Sequence, residues 1–160
     1  MWLLLSAIAL AQPPAVHQTF TGRVHLATDA PGGEAQVHPP AVIRDDEALA
    51  AFIDRVPTRA ITKRNPAQPS DDPLLAEPEL DWSRHMLVVA ERDHMYALAD
   101  LEVEHDGATL LVTVTLPDPG ELDMLAAAHG IGTYTAVVVD RAESVRFTAA
   151  TASPEQAQRP

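Results

Sequence analysis

The chain has 160 residues, no cysteine and a formal charge of −12, with 46% hydrophobic, 21% charged and only 4% aromatic residues. That size suits one domain with one sizeable core, which must here be aliphatic. The charge excludes nucleic acid as a partner, because its phosphates would be repelled across the whole surface. Without cysteine there is no disulfide framework, thiol nucleophile, thiolate metal site or lipid-carrying N-terminal Cys.

Met1–Ala11 reads as an export signal. Trp2 to Ala11 is uncharged and too short to span a bilayer, Ala9-Leu10-Ala11 supplies a small-x-small cleavage pattern, and Gln12-Pro13-Pro14 ends the block. The expectation is therefore a secreted or periplasmic protein, starting at Gln12, with no membrane span after signal cleavage. The mature part is expected to be a single α+β domain over 12–148, followed by a disordered tail over 149–160 that lacks bulky apolar residues.

Thr19 to Thr28 carries Phe20, Val24 and Leu26 among polar residues, with Gly22 interrupting, and predicts a first strand. Gln36 to Ile43 predicts a second short strand, confined to an edge by Pro39-Pro40. Asp45 or Asp46 caps a helix whose Leu49, Phe52, Ile53 and Val56 follow i, i+3, i+4, i+7 spacing until Pro57 stops it. From Pro57 to Trp82 no period of either kind is present, and five prolines fall in the stretch. Connections this long are usually functional or disordered. Arg59, Lys63 and Arg64, with Arg55 from the helix end, precede a block of acidic residues, so this Pro-rich loop over 57–82 is the candidate docking segment and these four cations the candidate binding residues.

Met86 to Ala90 is a continuous apolar run, as expected of a strand buried on both faces. Met95 to His105 and Ala108 to Leu116 predict a hairpin with a two-residue type I′ turn at Asp106-Gly107, with Leu101, Val103, Leu110, Val112 and Val114 facing the core. Asp118-Pro119-Gly120-Glu121 spells a capping box opening a short helix from Leu122 to His129, with Gly130 as its stop. Thr133 to Asp140 predicts another buried strand and Ser144 to Thr148 a last short one. Sequence-adjacent antiparallel pairs give the fold class as α+β, with one mainly antiparallel sheet packed by one or two short helices.

Chemistry has little to build on. None of the serines sits in a Gly-x-Ser-x-Gly elbow, and Gly130-Ile131-Gly132 follows a predicted helix instead of opening one, so neither a nucleophile-elbow motif nor a phosphate-loop motif is present. Seven histidines occur without a His-x-His or His-Glu-x-x-His spacing. Convergence of His85, His94 and His105 at one sheet end is the route left to a metal. The sequence implies no catalytic residue, no cofactor and no metal ligand by motif.

The segment Val42–Thr148 resembles the PrcB-like family, the C-terminal domain of a protease-complex subunit. The likeness lies in the acid-capped helix from Asp45 to Val56, Asp81-Trp82 before Met86 to Ala90, the Tyr96-led strand with its Asp-Gly hairpin, the Pro119-Gly120 step, and Thr133-Tyr134 leading Ala136 to Val139. Asp93-His94-Met95 departs from the glycines usual before that first tyrosine. The resemblance implies a small non-catalytic accessory domain contacting another exported protein such as a protease. The expected function is therefore an exported, non-enzymatic protein-binding domain; the alternative is a histidine-based metal-binding protein or metal-dependent enzyme of the cell envelope.

Overall fold

A computed structural model describes residues 16–26, 39–61, 66–116 and 130–151. In chain order these form β1 (Val16–His25), β2 (Ala41–Ile43), α1 (Asp46–Ile53), β3 (His85–Arg92), β4 (Asp100–Asp106), β5 (Thr109–Leu116), β6 (Ile131–Asp140) and β7 (Ser144–Thr151), with a 3₁₀ turn at Pro73–Ala76. No helix among the described residues is long and apolar enough to cross a membrane.

The strands form two sheets where one was expected. The first has the order β1-β6-β3-β2 and is antiparallel throughout; the second has the order β4-β5-β7. In the second, β4 and β5 are antiparallel while β5 and β7 run parallel. The physical reason lies in the middle of the first sheet. Met86 to Ala90 and Gly132 to Val139 are buried without interruption, so both faces of that sheet need an apolar cover. Helix α1 covers one face, where Leu49, Phe52, Val56 and Leu74 pack on Phe20, Leu87, Val89, Tyr134 and Val138. The other face is closed by the hairpin, whose Leu110, Val112 and Val114 meet Met86, Val88, Val137 and Val139. The hairpin thus lies across the first sheet instead of lengthening it.

Local chemistry accounts for the element ends. Asp45 caps α1, its carboxylate accepting the Ala48 N–H at 2.8 Å. The predicted alternation of β4 and β5 is borne out, with every second residue turned inward. Their turn lies one residue later than expected: Gly107 and Ala108 form it, and the positive φ of 61° is at Gly107 alone, which matches type II′ and not type I′. Strand β7 runs to Thr151, three residues into the stretch expected to be a tail, because parallel pairing carries Ala149, Ala150 and Thr151 alongside Val114, Thr115 and Leu116. The helix expected over 122–129 lies outside the described residues, as do 1–15 and 152–160.

In the segment over 57–82, the described residues 57–61 and 66–82 are held by local bonds. Ala60 donates its N–H to the Gln68 carbonyl at 2.8 Å and Ser70 to that of Thr58 at 3.0 Å, so its two arms pair around an Arg59–Pro69 bridge. Leu74 is fully buried, and Leu75, Leu80 and Trp82 pack against the same core. Five prolines hide this from a periodicity reading because the segment folds by turns and single anchors.

Candidate functional site

Among the described residues, two candidate sites gather polar side chains. The first is a cleft of about 450 Å³ at the outer edge of β1, lined by Thr21, Gly22 and Arg23 on one side and by Arg59, Ser70 and Asp72 on the other. Among the described residues, strand β1 pairs with β6 on one side only. Leu26 donates inward to the Gly130 carbonyl at 2.8 Å, whereas His25 donates outward to the Arg55 carbonyl at 2.8 Å. Alternation along an antiparallel strand therefore turns the backbone groups of Thr21 and Arg23 outward, into the cleft.

The inner end of this cleft is built from three residues that need one another. Buried Tyr134 donates its hydroxyl to Asp72 Oδ1 at 2.5 Å, and the same carboxylate oxygen accepts the Leu74 N–H at 3.0 Å, starting the 3₁₀ turn. Gly22 lets that carboxylate pass: a β-carbon there would stand 1.8 Å from Asp72 Oδ2 and 2.8 Å from the Tyr134 ring. Burial, then the hydrogen bond and negative charge of Asp72, push the Tyr134 phenol well above its ordinary value. On the rim, Arg23 lies over the exposed Tyr96 ring at 5.2 Å.

The second place is the end of the first sheet. His17 on β1, His85 on β3 and Asp140 on β6 bring their ligand atoms within 4.8 Å of one another. His17 Nε2 and Asp140 Oδ1 are 2.8 Å apart, and the two imidazole rings meet edge-on with centroids 4.6 Å apart. The hydrogen bond from His17 lowers the Asp140 carboxyl below its ordinary value, ahead of a small opposing effect of burial and the weaker influence of nearby His85 and His105.

The four expected binding cations separate. Arg55 is a structural clamp: its guanidinium pairs with Glu91, donates to the His25 carbonyl at 3.1 Å and lies over the Phe52 ring at 5.6 Å. Arg59 lines the cleft and donates to the Ala67 carbonyl at 3.1 Å, while Lys63 and Arg64 lie outside the described residues. The expected histidine trio also divides. His85 sits in the sheet-end cluster, but His94 is buried in the β3–β4 connection, where its Nδ1 accepts the N–H groups of Tyr96 and Ala97 at 3.0 and 2.7 Å. His105 is on β4 in the other sheet.

Gly22, Asp72 and Tyr134 escaped sequence reasoning, though an isolated glycine inside a strand is itself a signal of close approach. His17 escaped because it precedes the expected start of β1. Comparison with protein-family models, curated proteins and solved structures finds no match for this chain.

Proposed function

We propose that the chain is a non-enzymatic, exported protein-binding domain that receives an extended segment of a partner protein along the outer edge of β1. The observation carrying this reading is the outward-turned backbone of Thr21 and Arg23 inside a cleft walled by residues 57–61 and 70–73. An edge strand with accessible N–H and C=O groups is a template for a further strand, and flanking side chains then give selectivity. Arg23 and Arg59 would favour a partner segment with a carboxylate, which an overall charge of −12 does not otherwise attract. The resemblance to the PrcB-like family supplies the kind of partner, another exported protein such as a protease, and the leader-like N-terminus the secreted or periplasmic location.

A displayed library of random dodecapeptides, selected on the mature chain and retested on Thr21→Pro, tests this. Thr21 is exposed and its N–H points away from β6, so proline there blocks strand addition while leaving the β1–β6 pairing. Peptides that bind the native chain and lose at least about tenfold affinity for the variant, at unchanged melting temperature, support the reading. Peptides that bind both equally, or no enrichment at all, overturn it.

A further inference from the structure

We infer that His17, His85 and Asp140 form a binding site for a divalent transition-metal cation of the zinc class. Three adjacent strands deliver these ligands to one end of the first sheet. His85 stands directly opposite Asp140 in the β3–β6 register, so the two side chains share a face. On β1, the register slips between Val16 and Gln18. Strict alternation would turn His17 away from the face that Phe20 occupies. The bulge re-aims it, and its ring meets that of His85.

The donor set decides the cation. Two imidazoles and one carboxylate suit zinc and its first-row neighbours, whereas calcium and magnesium require more oxygen ligands. Ligand atoms around a tetrahedral zinc, at about 2.0–2.1 Å from it, lie roughly 3.3 Å apart. Here they lie within 4.8 Å of one another, with one pair at 2.8 Å, so side-chain rotation without movement of the strands brings them into place. The side chains of His17 and Asp140 are 38% and 51% exposed, which leaves the fourth position open to water. A hydrogen-bonded His17–Asp140 pair alone would not require the second imidazole; its presence is what distinguishes this cluster from an ordinary surface ion pair.

The site does not depend on the β1-edge cleft, so its test is separate. Untagged full-length chain is stripped with chelator, dialysed and titrated calorimetrically with zinc chloride, then with magnesium and calcium chlorides. Saturable one-to-one zinc binding, no response to the other two cations, and visible ligand-field bands after cobalt(II) substitution are expected. His17→Ala, on an exposed stretch of the edge strand, and Asp140→Asn each lower zinc affinity at least about tenfold, while His25→Ala leaves it unchanged. Circular dichroism of each variant checks the fold. Absence of one-to-one binding, or equal binding by His17→Ala and Asp140→Asn, overturns the assignment and marks any zinc uptake as scattered histidine binding.

Discussion

Replacing Gly22 by alanine tests how the inner end of the cleft is held. In an edge strand this change ordinarily stabilises by about 0.5–1 kcal/mol, because glycine loses more backbone freedom on folding. Here the new β-carbon would stand 1.8 Å from Asp72 Oδ2, far inside contact distance. The Asp72 side chain must swing away, and the Tyr134 hydroxyl, buried on a fully buried ring, loses its acceptor. An unsatisfied buried hydroxyl costs about 1–3 kcal/mol, and the Leu74 N–H loses its cap in the same movement. Gly22→Ala is therefore expected to destabilise by about 2 kcal/mol net, read as a lower urea midpoint at unchanged slope. The decisive measurement is the double-mutant cycle with Asp72→Ala. With the carboxylate already gone, the added methyl meets only the edge of the Tyr134 ring, and the two changes should couple by at least about 1 kcal/mol. If Gly22→Ala costs the same with and without Asp72, the collision is not what glycine avoids and the reasoning fails.

The raised Tyr134 phenol predicts alkaline sensitivity. Below about pH 10 the phenol is protonated in both states; above it the unfolded chain releases a proton that the folded chain retains, so stability falls by at most about 1.4 kcal/mol per pH unit. Tyr134→Phe removes that slope in urea titrations between pH 9 and 11, and an unchanged slope would show that another group sets it. Leu74→Ala should cost about 2–5 kcal/mol, as for any fully buried leucine, because the 3₁₀ turn is part of the core; a cost below about 0.5 kcal/mol would return the 57–82 segment to the status of a surface loop.

Much of the strand inventory could be read from the sequence because each strand carries its own pattern. The unbroken run of Met86 to Ala90 announced burial on both faces, and the alternation of Leu110, Val112 and Val114 announced one inward face. What those two facts imply jointly, a second sheet over the first, was available but is a statement about partners, and pairing by sequence adjacency pointed to one sheet. The parallel β5–β7 pair has no local signature at all, since Thr109 and Ser144 meet only after β6 has crossed to the other sheet.

The sites were less legible for a related reason. Arg55 and Arg59 share a charge block in sequence, but one is locked to Glu91 and the other faces a cleft. His94 looked like a ligand candidate and proves to organise a turn through its Nδ1, whereas His17 was brought to His85 by a bulge that no residue type at that position announces. Spacing along a chain finds ligands carried by one helix or one turn; ligands carried by three strands are found by register.

The parallel partnership of β5 with β7 also orders events in time. The β4–β5 hairpin forms locally, but a two-stranded ribbon is marginal by itself and its open edge is adhesive. The strand that closes that edge is synthesised only after β6, so the growing chain carries an uncovered β5 until it reaches Ser144. A pause or truncation between Asp140 and Ser144 would leave all four strands of the first sheet beside an unprotected template, the condition under which copies of this chain would pair with one another.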